Sequence, residues 1–169
     1  MTESTLLNAV DVLLVEDDPG DVLMTRDAFE GYHMGVQLHV ACDGEEALGF
    51  LRRIGDFAGA PRPALVVLDL NLPRRSGLEV LGDLKADDEL RIIPVVVLTT
   101  SQAEQDILRS YQLHANAYVI KPFDPEEFTA AIRHIDDFFL TLAQHPVLGP
   151  AAPPGEVTVP PACRLPDER

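Results

Sequence analysis

The chain has 169 residues, 46% hydrophobic, which suits one domain with a sizeable core, and no internal repeat is visible. Thirteen Lys and Arg against 28 Asp and Glu give a formal net charge of -15, so there is no electrostatic footprint for nucleic acid or an anionic membrane surface. The N-terminal stretch MTESTLLNAVDVLLV lacks a basic leader, no apolar run approaches the ~18 residues of a membrane span, and Cys42 and Cys163 lack the paired spacing of a zinc site; a soluble, cytoplasmic chain is expected.

Residues 1–9 read as a leader, followed by short β-branched runs that alternate with longer amphipathic ones. The apolar runs are Val12 to Val15, Val36 to Ala41, Leu65 to Leu68, Val95 to Leu98 and Ala117 to Ile120. They are continuous rather than alternating, which predicts five buried strands covered on both faces, as in a parallel sheet. Helix punctuation lies between them. Asp18-Pro19 offers an N-cap and then Pro at the first helical position, Ser101 with Glu104 reads as a capping box, and Asp124-Pro125 with Glu127 repeats the Asp-Pro device. A βα unit repeated five times over residues 10–145, with right-handed crossovers, predicts an α/β fold with a doubly wound five-stranded parallel sheet. From residue 146 the composition changes: seven prolines fall in the last 24 residues without helical or strand period, so residues 146–169 are expected to form an extended arm or a disordered tail.

Doubly wound sheets bind ligands outside the carboxyl ends of their strands. Here those ends carry Glu16, Asp17 and Asp18 after the first strand, Asp69 after the third, Thr99 and Thr100 at the fourth, and Lys121 after the fifth. Carboxylates that converge repel, by about 4 kcal/mol at ~4 Å in an effective dielectric near 20, so something positive must compensate. Mg²⁺ suits such a site, held by Asp17, Asp69 and the backbone carbonyl of Asn71 with room left for a phosphate oxygen. Lys121 is a mobile point charge able to pair with Asp69 or with an added phosphoryl group. With both cations present, Asp69 can attack phosphorus and become an aspartyl phosphate. Duller readings stand beside these: Asp18 as a helix cap, Thr99 as a strand-end hydroxyl serving the backbone, Arg74 and Arg75 as a solvated loop rather than a lure for anionic phosphodonors. A phosphatase of the haloacid dehalogenase type needs an acid two residues after its nucleophile, where this chain has Asn71. A nucleotide binder needs a Gly- or Ser/Thr-rich loop where this chain has Glu16-Asp17-Asp18.

The segments LLVEDDPGD, LVVLDLNLPRRSG, VVVLTTS and AYVIKPF, in this order, resemble the receiver domains of two-component response regulators over roughly residues 10–142. The resemblance implies a flavodoxin-like (βα)5 receiver, with Asp69 as phosphoacceptor and Glu16 and Asp17 as the acidic pair that helps hold Mg²⁺ beside Asp69 and Asn71. It further implies Thr99 as switch hydroxyl with Thr100 beside it, Tyr118 as rotameric aromatic switch, Lys121 as the family's lysine, and a cis peptide between Lys121 and Pro122. The segment RIGDFAGAPRP is a longer connection before the third strand than many receivers have. With DGEEAL, LRSYQLHANAYVIKPFD and IDDFFLTL, it looks like the stand-alone regulators associated with bacterial and cyanobacterial phytochrome histidine kinases.

The function so implied is that of a single-domain response regulator, not an enzyme with a substrate of its own. A phytochrome-type histidine kinase phosphorylates it, and it signals through the surface of the fourth helix, fifth strand and fifth helix. The alternative is a phosphorylation-independent adaptor. The final helix ends in more apolar surface than one face needs, so a homodimer is expected through Tyr111, Phe138, Phe139 and Leu142, with the Pro-rich arm reaching across the neighbour. A downstream phosphotransfer protein is a further expected partner, and nucleic acid and membrane are not.

Overall fold

Successive residues of a strand point to opposite faces, so each continuous apolar run feeds two separate cores. A computed structural model describes residues 10–32 and 35–142, and only the backbone of Tyr32, Thr141 and Leu142. The expected leader, the Pro-rich arm and Cys163 lie outside the described residues. The strands are β1 (Val10–Val15), β2 (Val36–Ala41), β3 (Leu65–Leu68), β4 (Val95–Thr99) and β5 (Ala117–Ile120). The helices are α1 (Pro19–Tyr32), α2 (Gly44–Arg52), α3 (Gly77–Ala86), α4 (Glu104–Gln112) and α5 (Pro125–Asp136). All strand pairs are parallel and the order is β2-β1-β3-β4-β5, so the chain reverses direction across the sheet between β1 and β3.

Leu13, Val15, Val66, Leu68, Val95 and Val97 face one side of the sheet, under Leu48 and Leu51 of α2 and Val80, Leu81 and Leu84 of α3. Val12, Leu14, Val67, Val96 and Leu98 face the other, under Ala28 and Phe29 of α1 and Phe128, Ile132 and Ile135 of α5. The segment RIGDFAGAPRP is packed rather than loose. A 3-10 turn at Gly55–Phe57 sets the Phe57 ring edge-on to Phe50 with centroids 5.7 Å apart, and Arg62 donates to the Leu51 carbonyl at 2.7 Å.

The Asp-Pro caps form as expected. Asp18 accepts from the Asp21 amide at 2.9 Å, and Asp124 accepts from Glu126 and Glu127 at 2.7 and 3.3 Å. Four expectations are corrected. β5 is an edge strand, only half-buried, with Ile120 exposed, because no strand among the described residues lies beyond it. Ser101 does not cap α4, whose N-cap is Ala103; the Ser101 hydroxyl instead donates to Asp106 at 2.6 Å, while its carbonyl is taken by Tyr118. The Lys121–Pro122 peptide is trans, the ordinary isomer even before proline. Phe139 is a core residue beside Ile135, because the chain leaves α5 in a π-helical turn, Asp137–Leu142, that rolls it inward and leaves only Phe138 of the pair exposed.

Leu84 has no exposed surface, lying between α3 and the sheet. Leu84→Ala is expected to cost about 2–5 kcal/mol, read as a lower urea midpoint with an unchanged slope.

Candidate functional site

The sheet's backbone ladder runs one step beyond the strands and fixes the polar residues that follow them. The Glu16 amide donates to the Ala41 carbonyl at 3.0 Å, the Asp69 amide to Val15 at 3.0 Å, and the Lys121 amide to Thr99 at 2.8 Å. The ends of β1, β3 and β5 are thereby locked in register, and the side chains of Glu16, Asp69 and Lys121 converge at the carboxyl edge of the sheet. Among the described residues, Glu16, Asp17 and Asp69 each offer a carboxylate oxygen, all within 4.8 Å of one another. Ionised together, carboxylates at that separation repel by about 3 kcal/mol or more per pair, and a hard divalent cation suits this donor set.

Lys121 is buried and partly neutralises the cluster. Its ammonium donates to Glu16 Oε2 at 2.5 Å, Asp21 Oδ2 at 2.8 Å and Asp69 Oδ2 at 2.8 Å. Burial alone would lower its pKa, but the bonds to Asp21, Asp69 and Glu16 outweigh it and hold the pKa above the ordinary lysine value. Burial pushes the Glu16 carboxyl up to about 8, despite the bond and charge of Lys121, and the neighbouring Asp69 adds to the rise. The second oxygen of Asp69 accepts the Asn71 amide at 3.2 Å, which fixes the carboxylate's plane.

Thr99 is fully buried at the end of β4, and its hydroxyl accepts the Ser101 amide at 3.4 Å, while Thr100 is exposed. Tyr118 donates its hydroxyl to the Ser101 carbonyl at 2.9 Å, and burial raises its pKa. Pro122 is half-buried next to Lys121. Tyr111 and Phe138 lie exposed on α4 and past α5, away from the strand ends, and the Leu142 side chain is outside the described residues.

Sequence reasoning missed Asp21. It stands in the first turn of α1, two residues after Pro19, where an acid reads as a partner of the helix dipole. It also missed the capping box at the start of α3. There Ser76 accepts the Glu79 amide at 3.3 Å and Glu79 accepts the Ser76 amide at 2.9 Å, although the signal S-x-x-E is plain in RRSGLE. That box starts α3 hard against the site. A Cβ on Gly77 would stand 2.1 Å from the Asp69 carbonyl oxygen and 2.6 Å from Leu70 Cα, so only glycine lets the helix close on the Asp69 turn. The Gly77 amide completes the contact by donating to Leu70 at 2.9 Å.

A buried lysine shared by acids at the switch point of a β2-β1-β3-β4-β5 sheet defines a receiver, a class of signalling domain. The model of the response regulator receiver domain matches residues 12–133, and the chain belongs to that family. It is 39% identical over 129 residues to the response regulator Rcp1 of a Synechocystis species, covering 76% of this chain and 88% of Rcp1. The crystal structure of the phosphorylated cyanobacterial phytochrome response regulator RcpA is similar at a TM-score of 0.79 and 39% identity, over 81% of this chain and 98% of that one. The Mn²⁺-bound form of Rcp1 is similar at a TM-score of 0.79 and 37% identity, over 82% and 99%. Receivers bind a divalent metal in an acidic pocket, and an acidic cluster, Glu16, Asp17 and Asp69, is present in this chain. No described helix is long and apolar enough to cross a membrane.

The two glycines of α3 should respond oppositely to the same change. Gly77→Ala forces backbone apart at Asp69 and is expected to lose about 1–3 kcal/mol or more. Gly82, whose added Cβ would meet nothing nearer than Leu113 Cδ2 at 3.8 Å, is expected to gain about 0.5–1 kcal/mol as alanine. Urea melts of the two variants beside the parent chain check the signs.

Proposed function

We propose that this chain is a phosphoacceptor response regulator that takes a phosphoryl group onto Asp69 from a histidine kinase in a Mg²⁺-dependent reaction. The observation that carries the reading is the buried Lys121 ammonium on Asp69 Oδ2 at 2.8 Å, with Glu16 and Asp17 beside it. Glu16, Asp17, Asp69 and the Asn71 carbonyl would hold Mg²⁺, which supplies neutralisation of charge on the phosphoryl oxygens. An Asp69 carboxylate oxygen attacks phosphorus, the bond from phosphorus to the kinase histidine nitrogen breaks, and that nitrogen keeps the electron pair. Lys121 then pairs with the new phosphoryl oxygens and Thr99 turns its hydroxyl to them, so the residues contribute position and charge rather than proton transfer. Loss of the phosphoryl group to water resets the site, with no substrate beyond the chain itself.

The likeness to RcpA, a phytochrome response regulator by its description, supports a phytochrome-type kinase as the donor and the cytoplasm as the place. The output surface is α4, β5 and α5, with Tyr118 as the aromatic switch. Exposed Leu108, Tyr111 and Ile120 on α4 and β5 support a protein partner there, either a second copy of this chain or a downstream phosphotransfer protein. For the homodimer, Tyr111 and Phe138 are the exposed anchors.

Intact mass after incubation with acetyl phosphate and Mg²⁺ tests the acceptor. One phosphoryl mass is expected in the parent chain, and none in Asp69→Ala or with a chelator; equal gain in both proteins would place the acceptor elsewhere. Light scattering tests the dimer, expected for the parent chain and lost in Phe138→Asp. A monomeric parent chain would sink that part of the reading.

A further inference from the structure

An ammonium has three N–H donors and no acceptor, and Lys121 gives one to each of three carboxylates. Two of the three, Glu16 and Asp69, belong to the cation-binding cluster, and the third, Asp21, does not. Asp21 stands in the first turn of α1, only 28% exposed, its backbone fixed by the Asp18 cap at 2.9 Å. A divalent cation drawn to Glu16 and Asp69 comes to the same two side chains that hold the ammonium. The positive charges repel, and a buried ammonium that loses its acceptors cannot turn to water without leaving the site. Asp21 is the acceptor the cation leaves untouched. We propose that Asp21 is a positioning residue: it keeps the Lys121 ammonium on the α1 side while Glu16 and Asp69 give their oxygens to the cation, and yields it to the phosphoryl oxygens afterwards. The inference rests on the reading of the site as a cation-dependent phosphoacceptor.

Calorimetric titration of the full chain with Mg²⁺ alone, without phosphodonor, tests it. Asp21→Asn is expected to raise the Kd for Mg²⁺ roughly tenfold, what the loss of one charge-assisted hydrogen bond is worth, and Asp21→Glu to restore it. In a Lys121→Gln background the same Asp21→Asn change should shift Kd by less than about twofold, because its effect runs through the lysine. Equal weakening in both backgrounds would mean that Asp21 acts by its field alone, and an unchanged Kd in Asp21→Asn that it does not act; either overturns the proposal. The chain has only two lysines, Lys85 and Lys121, so ε-¹⁵N-lysine labelling gives a second readout that needs no Lys121 variant. The Lys121 ammonium signal should survive Mg²⁺ addition in the parent chain and be lost to solvent exchange in folded Asp21→Asn; survival in both overturns the proposal. A parent chain that binds Mg²⁺ but gains no phosphoryl mass would overturn the proposed function, while the titration still decides the role of Asp21.

Discussion

The structure turns on one buried ammonium. A lysine taken out of water needs acceptors for all three of its N–H groups, and Lys121 finds them on Glu16, Asp21 and Asp69. Those acceptors come from three places in the chain, after β1, in α1 and after β3, and the lysine comes from the end of β5. Only the parallel sheet brings them together, and it does so by extending its ladder past the last strand residues to the amides of Glu16, Asp69 and Lys121. A slip of one residue in any strand would turn that side chain to the opposite face. The apolar cores above and below forbid the slip, because Leu68 and Val67, or Val15 and Leu14, feed different layers. Apolar packing thus sets the coordinates of the polar site.

The site is unbalanced, and the imbalance is its chemistry. Glu16, Asp17, Asp21 and Asp69 face one lysine, in a chain that already carries a formal net charge of -15. Burial pushes Glu16 up to about 8, which marks a place where negative charge is held at a cost. A divalent cation bound there would relieve that cost. The chain's other lysine makes the contrast plain. Lys85 donates to the backbone carbonyls of Arg91 and Ile93 at 2.9 and 2.8 Å, so it satisfies fixed neutral groups and ties α3 to the turn before β4. One lysine braces neutral backbone groups and the other is held by charged side chains.

Much of this could be read from the chain. Continuous β-branched runs marked the strands because burial on both faces leaves no polar alternation, and the strand-end rule then pointed to Glu16, Asp17, Asp69, Thr99 and Lys121 without any structure. Most of the failures share a cause. Ser101 looked like a cap by spacing alone, but a tertiary partner, Tyr118, holds its carbonyl and Asp106 its hydroxyl. Phe138 and Phe139 are alike in sequence, and only the π-helical turn decides which is buried. The edge position of β5 follows from strand order, which a list of strands does not contain. Asp21 looked like any acid in a first helical turn, since its distinction is a lysine one hundred residues away in sequence. Local rules read local structure, and Tyr118, Asp21 and the β5 edge are set by contacts between distant segments, whereas the Ser76–Glu79 box was a local signal passed over.

The same distant contacts limit what a change at Asp69 can move. Both cores are closed, with Thr99 fully buried, so the site cannot respond by deforming the sheet. Freedom remains in the hydrogen bonds of the loop after β4. Ser101 joins two residues there: its amide donates to the Thr99 hydroxyl at 3.4 Å, and its carbonyl accepts the Tyr118 hydroxyl at 2.9 Å. The amide bonded to Thr99 belongs to the Thr100–Ser101 peptide and the carbonyl that holds Tyr118 to the next one, so Ser101 Cα is the joint between the two bonds. The 3.4 Å bond is the longer and weaker of the two, so it is the one that yields. Tyr118 sits half-buried on the edge strand, beside exposed Ile120 and below α4 with its exposed Leu108 and Tyr111. Its hydroxyl bond thus lies at one of the two edges of the sheet, where no further strand among the described residues covers it.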